Sequence, residues 1–232
     1  MITFFRKIRQ NLLSENKFSK YLIYAIGEIL LVVIGIMIAL YINSWNEERL
    51  NKIDFANNLN QIKNELILDV AHLKETITNN QKYIEYLDKV SEGKYEEIDL
   101  STLLDSLTRN ISKQSCGISF NKLLESGNAE YISDPVLSDM LQDYYLIRCP
   151  KYNDMAAFHV MFISQNIEGP LLLMLNHKKD FLVDPKEVIE QLENGKLKSF
   201  LNWQLSFLLY IKPIIDEHIN LAEELIQLIN HK

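Results

Sequence analysis

The chain has 232 residues, of which 47% are hydrophobic and 24% are charged, with a formal net charge of -7. This composition excludes a disordered or collagen-like chain, and the small numbers of turn-forming residues, 7 Gly and 5 Pro, favour helices over a sandwich or a barrel. Beyond residue 43 there are 19 basic and 29 acidic residues, which argues against a nucleic-acid partner because binding phosphate requires basic clusters.

Residues 1–20 are a basic leader that has two interpretations. Over residues 1–13 the apolar side chains share one helical face, which predicts an amphipathic helix lying on an anionic inner leaflet. Alternatively, the positive charge only orients the insertion of the next segment into a membrane. The leader cations are Arg6, Lys7, Arg9, Lys17 and Lys20.

An apolar run of 22 residues, from Tyr21 to Ile42, contains one charged residue, Glu28. As a helix it is roughly 33 Å long, enough to cross a hydrocarbon core of ~30 Å. Aromatic residues flank it at both ends, as expected at two membrane interfaces. Because the apolar core of a cleaved signal peptide is shorter, we predict an uncleaved transmembrane helix over 21–43.

The distribution of cations around this helix predicts its orientation. Five cations precede it, whereas three, Arg49, Lys52 and Lys63, occur in the twenty residues after Asn43. Because cations are enriched on the cytoplasmic side of membrane helices, we predict a cytoplasmic N-terminus and an external domain over 44–232.

The stretch from Trp45 to Val90 contains no Gly or Pro. Its apolar residues recur at spacings of three, four or seven, which predicts an amphipathic stalk helix that extends the transmembrane helix. Asp69 and Thr76 occupy heptad d positions, so this pattern fits a helix packed on several neighbours better than a two-stranded coiled coil. We expect Gly93 to end it.

Start and stop signals predict further helices towards the C-terminus. We expect Ser119 to cap one of them and Gly127 to terminate it in a left-handed conformation. Asp134 followed by Pro135 is a strong start signal. The predicted helices are 101–112, 119–126, 135–148 with a continuation to about 166, a short helix between Pro185 and Gly195, and 197–229.

Prolines are predicted to interrupt two of these helices and to end another. Pro150 should kink or split the helix that contains it, Pro170 should end the continuation, and Pro213 should bend the last helix. No internal repeat or β-hairpin pattern is present. The predicted fold class is therefore all-α: a transmembrane helix that continues into a stalk helix, with an extracytoplasmic helical bundle.

Residues 18–47, FSKYLIYAIGEILLVVIGIMIALYINSWNE, together with the leader, resemble the opening of an uncharacterised family of single-pass proteins of Gram-negative bacteria. The most specific pattern is AIGEI, LVVIGI, IAL and WNE, and residues 119–145 form a second similar patch. The resemblance implies an inner-membrane anchor and a helical periplasmic domain. It implies no activity and no functional residues.

Glu28 is the most unusual residue of the predicted span, since a carboxylate in a membrane is costly. With Gly35 and Ala39 it lies on one helical face, where small residues allow a second helix to approach closely. The strip therefore indicates helix packing or assembly of a complex. A carboxylate that reaches the headgroups and a role in ion or proton conduction are the alternatives.

Cys116 and Cys149 are the two cysteines of the chain. If the domain lies outside the cytoplasm, they can form a disulfide that closes a loop of about 34 residues. Alternatively, they are two buried free thiols that act as small apolar residues.

No pattern in the chain predicts an enzyme, a cofactor or a metal site. The chain contains no zinc-protease, nucleophile-elbow, phosphate-loop or dinucleotide motif. Asp69 and His72 form one D-x-x-H, but a di-iron bundle needs two Glu-x-x-His elements. We expect tyrosines 144, 145 and 152 to be half-buried in the core. We also expect all five histidines to be solvated or on helix surfaces: His72, His159, His177, His218 and His231.

These features predict a non-enzymatic scaffold that assembles with itself or with a partner membrane protein. An extracytoplasmic ligand-binding or sensory bundle that acts through a partner is the alternative, and an enzyme is the third. None of these predictions identifies a small-molecule substrate.

Overall fold

The computed structural model describes residues 18–95, 98–174 and 184–231, which are almost entirely helical and contain no strand. The predicted all-α fold class is confirmed for these ranges. The predicted leader helix over 1–13 lies outside the described residues.

The first helix, α1, runs from Phe18 to Ser91 without interruption. The absence of Gly and Pro between Trp45 and Val90 explains its length, since no residue removes a backbone hydrogen bond there. Gly93 follows its end with φ +83°, a left-handed conformation that favours glycine. The predicted continuation of the apolar helix into a long second part is confirmed.

The chain divides into two compact units, Met1–Asp54 and Phe55–Lys232. In the first unit every side chain from Leu22 to Leu50 is exposed except Ala25, which is half-buried. Among the described residues, this part of α1 is the one stretch long and apolar enough to cross a membrane.

Shorter helices and a second long helix complete the second unit. They are α2 (Leu100–Thr108), α3 (Ile118–Glu125), a 3-10 turn (Asn128–Tyr131), α4 (Pro135–Gln142), α5 (Cys149–Phe162), α6 (Gly169–Met174), α7 (Pro185–Asn194) and α8 (Lys196–Asn230). A first π segment, Asp143–Arg148, joins α4 to α5, and a second, Ile163–Glu168, joins α5 to α6.

Helix α2 ends four residues before the predicted boundary at Ser112. Arg109 takes an extended conformation, with φ -64° and ψ 121°. This change of direction brings Ile111 into the core, where it is 3% exposed. The free energy gained by burying Ile111 outweighs that of another turn of helix. The predicted C-terminal boundary of α2 was therefore wrong.

The predicted serine cap of α3 is also wrong. Gly117, with φ +69°, is the residue that precedes the helix, and Ser119 lies inside its first turn. The Ser119 backbone N–H and hydroxyl donate to Glu65 Oε1 at 3.1 and 2.6 Å. A carboxylate from α1 therefore satisfies the first turn of α3. The left-handed Gly127, with φ +72°, is as predicted.

Pro150 and Pro170 do not interrupt the helical path where we expected. Asp134 caps α4 through the Val136 N–H, as predicted, but the helical path then continues to Met174. Each π segment ends two residues before a proline: the first segment precedes Cys149-Pro150, and the second precedes Gly169-Pro170. The wider π turn keeps the proline ring clear of the preceding carbonyl, so the helix does not break.

Two hydrophobic cores lie along α1 and α8, which run antiparallel. Polar contacts show how the two helices align: Lys74 Nζ lies 2.6 Å from Glu223 Oε1, and Lys212 Nζ lies 3.0 Å from Gln81 Oε1. The first core contains Leu59, Ile62, Leu66, Val70, Leu73, Ile111, Phe120, Leu123, Leu137, Leu141, Tyr144, Tyr145, Tyr152, Ala156, Ile211, Ile215, Ile219, Ala222, Leu225 and Ile229. The second contains Ile84, Leu87, Val90, Leu103, Leu107, Ile163, Ile167, Leu171, Val188, Leu192, Leu197, Leu201 and Leu208.

Candidate functional sites

The predicted strip in the apolar part of α1 is exposed. Glu28, Gly35 and Ala39 are separated by seven and four residues, which places them within about 20° of one face of the helix. A Cβ added at Gly35 would meet no atom within 4 Å. There is thus room for a second helix against this face, and its role in assembly stays a prediction.

Cys116 and Cys149 are joined by a disulfide, with their Cα atoms 5.9 Å apart. The bond links the segment before α3 to the first residue of α5. Beside it, Asn153 Oδ1 accepts from the Gln114 N–H at 2.8 Å, and Asn153 Nδ2 donates to the Gln114 carbonyl at 3.0 Å. Of the two alternatives that the sequence left open, the structure therefore contains the bonded pair.

A buried carboxyl group lies in the first core, where the first π segment packs on α1. Asp69 is 8% exposed, and its Oδ2 accepts a hydrogen bond of 3.1 Å from the Tyr144 hydroxyl. Burial raises the pKa of Asp69 to about 6, and the Tyr144 hydrogen bond opposes this rise. Nearby, Glu65 raises this pKa further and His72 lowers it. Asp69 can therefore change its protonation state near neutral pH.

Further buried polar groups lie next to Asp69 or next to its partner Tyr144. We call the set the Asp69 centre: Asp69, Gln114, Tyr144, Tyr145 and His218. Burial raises the pKa of both tyrosines. Within the described part of the chain, Tyr145 Oη, Gln114 Nε2 and His218 Nε2 have no hydrogen-bond partner. Such groups and π segments both recur at functional sites. One sequence feature indicates the centre: an acidic residue, Asp69, within the apolar stripe of α1.

A second polar network lies near the second core and involves a residue that sequence reasoning missed. His159 Nε2 lies 2.9 Å from Gln204 Oε1, while Gln204 Nε2 donates to the carbonyls of Ser106 and Arg109 at 3.2 and 3.1 Å. Because Oε1 can only accept, His159 Nε2 carries the proton of this bond. Burial lowers the pKa of His159, and the hydrogen bond to Gln204 opposes this shift.

The expectation that the histidines are solvated or on helix surfaces is wrong at two positions. His159 and His218 are 0% and 3% exposed. The His159 ring stacks on Phe207, with 4.1 Å between ring centroids, and the His218 ring lies 5.7 Å from that of Tyr152. Aromatic neighbours, stacked on His159 and tilted or edge-on at His218, explain why both rings enter the core. His177 lies outside the described residues.

A groove of about 420 Å³ lies beside the second π segment. The Phe162 and Trp203 rings stack along it with 3.7 Å between centroids. Polar side chains, among them Asn166 and Lys196, form part of its lining. In the described ranges, no group of three or more His, Cys, Asp or Glu residues could hold a metal ion.

A family model described as a family of unknown function (DUF6090) matches residues 28–123. No curated protein and no solved structure matches the chain. The predicted resemblance to an uncharacterised family is confirmed over this range, which includes the strip of Glu28, Gly35 and Ala39 as well as Asp69 and Cys116, but neither Tyr144 nor Cys149. The description of this family assigns no activity.

Proposed function

We propose that this chain is a non-enzymatic interaction protein of the cell envelope that assembles with itself or with a partner membrane protein. Residues 21–43 anchor it in the inner membrane, and residues 44–232 form a periplasmic helical bundle. The observation that carries the proposal is the contrast between the two units. The second unit encloses two apolar cores, although single residues such as Leu68 and Leu173 are exposed. The apolar part of α1, in contrast, is exposed on all sides along almost its whole length.

The degree of exposure supports a membrane anchor. Ile23, Leu31 and Tyr41 are 70 to 75% exposed on one continuous helix. An apolar surface of this size is not stable in water, so lipid or another apolar helix must cover it. A length that matches the hydrocarbon core favours lipid.

The disulfide supports a periplasmic bundle. Structural disulfides persist in oxidising compartments, and the cytoplasm keeps thiols reduced. The Cys116–Cys149 bond and the five leader cations therefore favour the same orientation, with the leader inside and the bundle outside.

The membrane strip supports assembly. In lipid the hydrophobic effect does not drive helices together, so close backbone contact and polar pairing must do so. Gly35 and Ala39 permit such contact, and Glu28 can pair with a donor on the neighbouring helix. A carboxylate kept inside a span is by default a functional residue.

Crosslinking in native membranes tests this proposal. Gly35→Leu should abolish the crosslinked complexes because its bulk separates the helices, whereas Val33→Ala, on another face, should leave them unchanged. Glu28→Gln keeps the hydrogen bonds and should weaken the complexes only partly, unless the partner supplies a cation. If all three variants crosslink like the wild type, assembly does not use this strip.

A second candidate function is a ligand-binding or sensory bundle that acts through a partner. The groove at Phe162 and Trp203 favours it, because aromatic walls with a few polar groups are typical of small-molecule sites. Saturable binding of an amphipathic anion that depends on Lys196 would favour this candidate over assembly.

A further inference from the structure

The segment between α2 and α3 is held across the first core by one covalent bond and a few polar contacts. Tyr152 Oη donates to the Ser112 carbonyl at 3.3 Å, and the Ser112 hydroxyl lies 2.9 Å from His72 Nε2. Asn153 holds both backbone groups of Gln114. The disulfide is the single covalent link between this segment and α5.

The two sulfur atoms of this disulfide differ in their accessibility. Cys149 is completely buried at the start of α5, whereas Cys116 is partly exposed in the non-helical segment. An external thiolate can therefore reach Cys116 Sγ more easily than Cys149 Sγ, and access governs which sulfur is attacked.

The ring closed by the disulfide contributes to only one of the two cores. Between residues 116 and 149 lie α3, α4 and the first π segment, whose buried residues include Phe120, Leu141 and Tyr144 of the first core. Among the described residues, no member of the second core lies in this range. The bond therefore constrains elements of the first core and, among the described residues, none of the second.

We propose that the Cys116–Cys149 disulfide is a redox latch that a dithiol oxidoreductase opens at Cys116. Opening loosens residues 111–149 and uncovers the Asp69 centre, while the second core stays folded. The partner is thus a thiol protein of the same compartment, and Cys116 is its site of attack.

The exchange consumes one dithiol and transfers two electrons. The first thiol of the reductant, as a thiolate, attacks Cys116 Sγ; the S–S bond breaks and its electron pair leaves on Cys149 Sγ, which takes up a proton. The second thiol of the reductant, as a thiolate, then attacks the mixed disulfide, and Cys116 Sγ leaves and is protonated. The products are two protein thiols and the disulfide form of the reductant.

Hydrogen exchange of the full chain in nanodiscs, with and without dithiothreitol, tests the local opening. Peptides from 111–149 should exchange at least about tenfold faster after reduction, and peptides from 84–90 and 197–208 should not change, since local opening leaves the other cooperative unit protected. Equal acceleration in both cores, or none in either, would overturn the proposal.

A Cys116→Ser/Cys149→Ser variant is the matched control. It should show the fast exchange of 111–149 without reductant and no response to dithiothreitol. If this variant does not fold, the reduced wild type still provides the comparison between the two cores.

Trapping the mixed disulfide tests the site of attack. The full chain is treated with excess glutathione, quenched in acid and mapped by mass spectrometry. The adduct should form on Cys116, with Cys149 as a free thiol. An adduct mainly on Cys149, equal labelling of both cysteines or no adduct would contradict attack at Cys116.

Discussion

The stability of the helical bundle depends on pH through one buried carboxyl group, that of Asp69. Its carboxyl binds a proton more tightly in the folded chain than in the unfolded chain, because burial penalises the charged form. The resulting contribution to stability is complete below the unfolded pKa of 3.8 and is lost as the pH rises through the folded pKa of about 6. Folding is therefore penalised by this residue at neutral pH.

Asp69→Asn should remove this penalty and keep an acceptor for the Tyr144 hydroxyl. We expect the free energy of unfolding of the variant, relative to wild type, to rise between pH 4 and pH 7.5 by up to about 3 kcal/mol. Denaturant unfolding at the two pH values measures it. Asp154→Asn, at an exposed position of α5, is the control and should show no such rise. An equal effect of Asp69→Asn at both pH values would show that the buried charge of Asp69 does not lower the stability at neutral pH.

Individual residues also show where the sequence was informative. Gly127 and Asp134 act as predicted, because their roles depend on their immediate neighbours. His159 depends on Gln204, 45 residues away, and Ser119 depends on Glu65, 54 residues away. No local pattern contains such partners, so the buried histidine and the carboxylate that replaces the serine cap could not be predicted.

At the scale of elements, the approach of α3 to the first π segment depends on Gly117. A Cβ added to this residue would lie 2.8 Å from Tyr145 Cδ1, and its φ is +69°. The predicted helix boundaries failed in the same region, because the π segments and the extended Arg109 arise from packing between elements.

Gly117→Ala should destabilise the bundle more than Gly127→Ala. Both glycines have a positive φ, but a Cβ at Gly127 would meet no atom within 4 Å. Gly127→Ala is the control, because it suffers only the strain of a left-handed alanine. The additional loss of unfolding free energy in Gly117→Ala, about 1–3 kcal/mol, measures the clash with Tyr145. Denaturant unfolding of both variants gives this difference. Equal losses would mean that the Tyr145 ring moves aside without cost.

At the scale of the whole molecule, helix content and the two long helices could be predicted, since hydrophobic periodicity survives without tertiary context. The division into two cores could not. It depends on which positions of α1 face α8 and which face the shorter helices. For the same reason the Asp69 centre was visible only as one acidic residue in an apolar stripe.

Orientation in the membrane is the prediction that concerns the entire chain. Alkaline phosphatase fused after Lys232 should be active, because it folds only outside the cytoplasm, and a reporter that works only in the cytoplasm should be silent at that position. Replacing the five leader cations with Gln should reduce the phosphatase signal, since cations before a membrane helix favour a cytoplasmic N-terminus. The reverse pair of reporter results would place the bundle in the cytoplasm.

The antiparallel pairing of α1 with α8 has a consequence for biosynthesis. Lys74 and its partner Glu223 are 149 residues apart in the sequence. Both cores contain residues of α8, so neither core is complete until this last helix has been synthesised. At translation rates of 5–20 residues per second, the apolar stripe of α1 remains uncovered for about 7 to 30 s before its partner residues on α8 are synthesised. During this interval the nascent chain is exposed to proteases and to aggregation, and a holding chaperone that binds the emerging stripe would raise the yield of folded protein.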